Sequence, residues 1–323
     1  MTLIDRRTLM AGIAATAALA AAGPASAQSF PLPKGFTRFP IWPGKAPGGE
    51  AVTVTEKEGL RRPDSPPDDT YFEHVVTPTL TMLRPKKPNG AALLLIPGGG
   101  YVRVAIGLEG YEIARRLASA GYTCFILLYR LPADGWAAGS EAPLQDAQRA
   151  LRTVRSMAAR EKFDPARIGV IGFSAGGHLA GWLATQDAKP SYTPIDAIDT
   201  QPLGLKVAAL MYPVIMMDGP SAHAGSRKQL LGPDPTPARA RAYSLEQNVA
   251  ADAPPTFIAQ AIDDKTVPIE NATAMMMALK QKGVPVETHI FEAGGHGFGI
   301  GEKAKAAAAW PDLFLAFAAR HGL

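Results

Sequence analysis

From residue 91 onward, short and largely apolar runs alternate with stretches whose apolar positions recur every three or four residues. The short runs fall at 92–96, 123–129, 167–172, 205–212, 256–262 and 286–291, and they read as strands. The periodic stretches at 109–120, 144–160, 175–185, 269–282 and 304–320 read as helices, with Gly121 and Gly283 as stops for two of them. Strands without a polar face belong in a sheet covered on both sides. Strand followed by helix, four or more times in succession, calls for crossovers between parallel neighbours. The pattern therefore predicts a doubly wound, mostly parallel α/β sheet with helices on both faces.

Residues 28–90 break this rhythm. They are rich in Pro and Gly and carry only short β-like pieces, at 51–55 and 71–81. We read them as an arm and edge strands of a single domain spanning 28–323. Two Pro-rich insertions, 187–204 and 213–253, are expected at the carboxyl ends of the strands, as candidates for a cap or pocket wall. No internal repeat is found.

The first 27 residues follow another logic. Arg6 and Arg7 precede an uncharged, Ala-rich run at 9–22, and Ala25-Ser26-Ala27 supplies a small-x-small cleavage pattern. The run is shorter than the about 20 residues a bilayer needs, so a secretory signal is expected and not a stable membrane span. The arginine pair before Thr8-Leu9-Met10 resembles a twin-arginine signal; a Sec signal that carries two arginines is the alternative. Either implies a periplasmic or secreted protein.

Composition changes this picture little. Of 323 residues, 47% are hydrophobic and 19% charged, enough for a sizeable core. The net charge is +4, or +3 without residues 1–27, and no Lys/Arg run is interleaved with aromatics, so no nucleic-acid partner is expected. The lone cysteine, Cys124, lies in an apolar run and reads as a buried strand residue that forms no internal disulfide.

The chemistry concentrates at three strand ends. The 167–172 strand runs into Gly172-Phe173-Ser174-Ala175-Gly176-Gly177 and then a helix, a G-x-S-x-G sequence in strand–turn–helix context. Such an elbow lifts a serine hydroxyl above the sheet and sets it at a helix N-terminus, where developing negative charge is favoured. Ser174 is the candidate nucleophile. A hydroxyl needs a base, and His296 stands in a glycine-rich loop, Gly294-Gly295-His296-Gly297-Phe298-Gly299, after the 286–291 strand. The 256–262 strand ends in Asp263-Asp264, and we assign Asp264 as the acid, with Asp263 capping or bracing the loop. His178 reads as structural. The third strand end, Pro97-Gly98-Gly99-Gly100-Tyr101, offers the amides of Gly99 and Gly100, which with that of Ala175 are candidates for an oxyanion hole. Tyr101 is a candidate substrate contact, with packing as the other reading. Trp42, Trp182, Met216 and Met217 are further pocket candidates, each equally able to be core. No spacing suggests a metal or other cofactor.

With these residues placed, the chain resembles the bacterial α/β hydrolases of the acetyl-xylan and feruloyl esterase type, many of them labelled xylanases. The resemblance runs from Ile41-Trp42-Pro43-Gly44 through the Gly-Gly-Gly-Tyr loop and GFSAGGHLA (172–180) to GGHGFG (294–299). It implies the α/β-hydrolase fold, a Ser174–His296–Asp264 triad, and an esterase acting on acylated carbohydrate. Feruloyl or other small esters are the alternative, and amide substrates a more distant one. Pro97 departs from related lipases and esterases, which carry histidine there, so the loop must be braced otherwise. A glycosidase needs two flanking carboxylates, and no such pair is set on adjacent strand ends.

Overall fold

The computed structural model describes residues 30–185, 189–301 and 305–323. The signal segment read at 1–27 lies outside the described residues. The arm supplies β1 (Phe36–Pro40), β2 (Lys57–Leu60), β3 (Thr70–Glu73) and β4 (Thr79–Leu83). Then follow β5 (Ala92–Ile96), α1 (Ile113–Ser119), β6 (Thr123–Leu128), α2 (Ala142–Ser156), α3 (Ala158–Glu161), β7 (Ile168–Phe173) and α4 (Ala175–Thr185). The chain continues through β8 (Ala208–Met211), α5 (Ala224–Leu231), α6 (Pro237–Ala242), β9 (Thr256–Ala261), α7 (Glu270–Gln281), β10 (Val286–Phe291) and α8 (Trp310–Arg320).

Eight strands form one sheet in the order β1-β4-β6-β5-β7-β8-β9-β10, and β2 pairs with β3 apart from it. From β6 to β10 all neighbours are parallel; β1 and β4 extend the edge antiparallel. β5, β6, β7, β8 and β9 are buried at every position, as strands covered on both faces must be. Each fully buried Leu, Ile or Phe there contributes about 1.5–3 kcal/mol. The chain moves one way from β5 to β6 and the other way from β6 to β7. Right-handed crossovers then put α1 and α2 on opposite faces, and the reversal opens a crevice at the carboxyl ends of β5 and β7. No described helix is long and apolar enough to cross a membrane.

Several expectations need correction. Residues 51–55 alternate in polarity but find no ladder partner, and the strand lies later, at β2. The 71–81 piece splits between two sheets, because His74 turns at φ 53 and Pro78 has no amide to donate. The 109–120 helix opens with a π-helical turn, Gly107–Glu112, before α1. The insertion at 187–204 connects α4 to β8, so it enters at the amino end of the parallel strand, opposite the crevice. Its Asp196 is forked by Arg149 of α2. The 213–253 insertion does follow a strand end, and it carries α5 and α6.

The arm is fastened by buried charge. Arg130 and Asp146 pair at 2.9 Å with fully buried side chains, and the Trp42 indole donates to Asp146 at 2.8 Å. Cys124 is buried in β6, and burial pushes its thiol far up from the ordinary value.

Candidate active site

Ser174 stands alone between β7 and α4, at φ 53. A side chain in that region costs on the order of 1–3 kcal/mol, so the surroundings must impose it. Two hydrogen bonds do: the Ser174 amide donates to the Met211 carbonyl at 2.9 Å, and the Val214 amide to the Ser174 carbonyl at 3.0 Å. The flanking glycines sit where backbones touch. A Cβ on Gly172 would lie 2.2 Å from the Gly176 carbonyl oxygen, and one on Gly176 2.2 Å from that of Ile96. The elbow therefore tolerates no side chain at position 172 or 176.

The structure brings the three expected side chains together. Ser174 Oγ lies 2.8 Å from His296 Nε2, and His296 Nδ1 lies 2.8 Å from Asp264 Oδ2. An ionised carboxylate only accepts, so Nδ1 carries the ring proton and Nε2 is left to accept from the serine hydroxyl. The other Asp264 oxygen takes the amides of Thr266 and Val267 at 2.8 and 2.9 Å. Burial raises the Asp264 carboxyl, but the hydrogen bond and charge of His296, with those two amides, outweigh it and hold it below the ordinary 3.8. Asp263 Oδ1 accepts from Gly294 at 2.9 Å and Gly295 at 2.7 Å, so it braces the loop that carries the histidine.

The loop after β5 turns back on itself. The amides of Val102 and Arg103 donate to the Gly99 carbonyl, and that of Ala105 to Gly98. Among the described residues nothing accepts a hydrogen bond from the amides of Gly99, Gly100 or Ala175. Pro97 is braced by the Tyr129 hydroxyl, which donates to its carbonyl at 2.8 Å.

Tyr101 is fully buried, and its geometry matches the packing reading. Its hydroxyl donates to His178 Nδ1 at 2.8 Å, while His178 Nε2 donates to the Tyr243 carbonyl at 2.8 Å. Burial holds this histidine down to about 4, against the Tyr243 carbonyl, so it stays neutral and structural. Trp42, Trp182 and Met217 are likewise core residues, and Met216 is partly buried. His223, which the sequence did not single out, caps α5 by accepting the Ser226 amide at 3.2 Å. Burial lowers its pKa. The 213–253 insertion meets the site at its start, where the Val214 amide donates to the Ser174 carbonyl at 3.0 Å.

Two more residues escaped the sequence reading. Glu109 is buried and accepts from the Gly98 amide at 2.6 Å, and the Tyr212 hydroxyl donates to its other oxygen at 3.0 Å. A glutamate among apolar and glycine neighbours, Gly107-Leu108-Glu109-Gly110, was the only available signal. A cavity of about 620 Å³ bounded by Trp182, Leu183, Asn248 and Ala250 holds none of these groups; the chemistry, not the depth, marks the site. Among the described residues no group of three His, Cys, Asp or Glu side chains is arranged to hold a metal ion.

A family model described as BD-FAE matches residues 81–279, from the edge of the sheet through the elbow and the acid loop to α7. The chain belongs to the BD-FAE family. This BD-FAE member is 35% identical over 213 residues to endo-1,4-beta-xylanase B of Butyrivibrio fibrisolvens, covering 64% of this chain and 32% of that protein. It is 31% identical over 224 residues to an acetylxylan esterase of Xylanibacter ruminicola, covering 67% and 43%. The chain thus spans less than half the length of these curated relatives. A crystal structure of an acetyl ester-xyloside bifunctional hydrolase from Caldicellulosiruptor lactoaceticus superposes with a TM-score of 0.72 at 33% identity, covering 91% of this chain and 99% of that one. An alpha/beta hydrolase from a Medee basin deep-sea metagenome library superposes with a TM-score of 0.58 at 26% identity, covering 77% of this chain and 94% of that one, and the chain has the α/β-hydrolase fold.

Proposed function

We propose that this BD-FAE member is an exported serine esterase that removes acyl groups, acetyl above all, from xylan-type carbohydrate. The observation that carries the reading is the unbroken line from Ser174 Oγ through His296 to Asp264, 2.8 Å at each step. In this reading Ser174 Oγ attacks the ester carbonyl carbon as its proton passes to His296 Nε2. The carbonyl oxygen becomes an oxyanion facing the amides of Gly99, Gly100 and Ala175, each worth on the order of 3 kcal/mol of barrier. The intermediate collapses; the sugar alcohol leaves with the proton from His296, and the acyl group stays on Ser174. Water, deprotonated by the same imidazole, then releases the acid. Asp264, held ionised, favours the imidazolium at both stages.

The names of the relatives support the carbohydrate ester as substrate. One of them also names xyloside hydrolysis. Here Asp264 is committed to His296 and Glu109 lies buried behind Gly98, so neither is free to protonate a glycosidic oxygen. We assign residues 28–323 to one catalytic domain and 1–27 to its export signal, so the protein recovered outside the cytoplasm should begin at Gln28, as N-terminal sequencing would read. For the substrate, the protein is incubated with acetylated xylo-oligosaccharide and acetate is quantified. Release by wild type and none by Ser174→Ala is the expected result. Cleavage of p-nitrophenyl acetate without release from the oligosaccharide would keep the esterase and discard the xylan substrate in favour of feruloyl or other small esters.

A further inference from the structure

We propose that Glu109 is a positioning residue for ester hydrolysis, one buried carboxylate that holds the oxyanion loop and the histidine loop in a common register. The inference rests on the esterase reading above. Glu109 is 5% exposed and lies in the π-helical turn before α1, where the Tyr111 amide reaches back five residues to the Ile106 carbonyl. Turns of this kind are rare and concentrate at functional sites. A buried carboxylate is costly unless satisfied. Among the described residues no Lys or Arg stands within ion-pair distance of it; its two oxygens are met by the Gly98 amide at 2.6 Å and the Tyr212 hydroxyl at 3.0 Å.

Those two donors belong to the two halves of the site. Gly98 directly precedes the candidate oxyanion amides of Gly99 and Gly100, and a Cβ on it would lie 2.8 Å from Ser174 Cβ and 3.0 Å from Glu109 Oε2. Tyr212 stands at φ 37 just past β8, with its ring edge-on to His296 at 5.2 Å and to Phe298 at 4.6 Å. His296 and Phe298 both belong to the histidine loop, so these ring contacts seat Tyr212 against it. The carboxylate thereby links the loop that receives the oxyanion to the loop that carries the base, and its charge favours the imidazolium.

The ionised form accepts from both donors most strongly, because a charged acceptor about doubles the strength of a hydrogen bond. Burial raises the Glu109 carboxyl above the ordinary 4.5, against the pull of Gly98, His296, Tyr212 and Arg61. The ionisable groups facing it are Tyr212, Tyr129, His296 and Arg61. Activity that needs the carboxylate is full above its raised pKa and is lost as pH falls through it, adding a second proton to the acid limb.

The test is the pH dependence of p-nitrophenyl acetate hydrolysis by wild type, Glu109→Gln, Tyr212→Phe and the double variant. Glu109→Gln is expected to lower kcat about 10- to 100-fold with KM within about threefold, and to make the acid limb of kcat/KM shallower. Tyr212→Phe should lower kcat less, and the double variant should be no worse than Glu109→Gln, because both act through one contact. A Glu109→Gln enzyme with wild-type kcat and an unchanged acid limb overturns the proposal, as does full additivity. If Glu109→Gln does not fold, Tyr212→Phe decides by the same readouts: lower kcat with an altered limb supports, wild-type behaviour overturns. A wild type inert toward p-nitrophenyl acetate would remove the esterase reading and this inference together; an active wild type with an indifferent Glu109 removes this inference alone.

Discussion

Two clusters of buried charge differ in what they are paired with. Beside the arm, Arg130 meets Asp146, and Arg149 meets Asp196 and Asp199, so each carboxylate faces a guanidinium. At the crevice, Asp264 and Glu109 face an imidazole, a phenol and backbone amides. The backbone differs in the same sense: Tyr101, Ser174 and Tyr212, all at positive φ, cluster at the strand ends of the crevice. A guanidinium partner cancels a charge and anchors a segment. Neutral or titratable partners leave the charge able to act on a proton, and three of the five described non-glycine residues at positive φ lie there.

The comparison breaks most sharply if the crevice can be disarmed without loss of stability. Ser174→Ala is expected to lower kcat about 10⁴-fold or more while thermal unfolding stays near wild type. Asp146→Asn should do the opposite. Leaving Arg130 buried without its partner is expected to cost about 3–5 kcal/mol in denaturant unfolding, with kcat per folded molecule unchanged. Gly99→Ala sharpens the crevice side: at φ 130, with the Arg103 carbonyl 2.2 Å from a would-be Cβ, the loop must shift, and kcat/KM should fall about 10²-fold. The smallest effect concerns His178, neutral in the fold with its pKa at about 4 against 6.5 when free. The unfolded chain binds the extra proton between those values, so stability is full above 6.5 and declines as pH falls toward about 4. Thermal unfolding against pH should show this decline, and His178→Gln should flatten it.

Much of the crevice was legible because its chemistry is local in sequence. The elbow, the glycine loop of His296 and the Asp263-Asp264 pair are each a strand end with a distinctive run, and the parallel order followed from apolar strands alternating with helices. What the sequence hid was long-range. Glu109 and Tyr212 meet only when β8 and the turn before α1 converge on Gly98, across 103 residues of chain. The pairing of Arg130 with Asp146 looks in sequence like two ordinary surface charges. Tyr101 could not be assigned to pocket or core until His178 was seen beneath it. The insertion at 187–204 was put at the wrong end of the sheet because its Pro-rich composition says nothing of which strand end it enters.

The central claim is that Ser174 is a nucleophile activated by His296. The most direct test is to treat the protein with diethyl p-nitrophenyl phosphate, then locate any adduct by intact mass and peptide mapping. The account predicts one diethylphosphoryl group on Ser174, loss of p-nitrophenyl acetate hydrolysis in step with it, and labelling slowed at least about 10²-fold in His296→Ala. An unlabelled Ser174 in a folded, active protein, or labelling indifferent to His296, would contradict it.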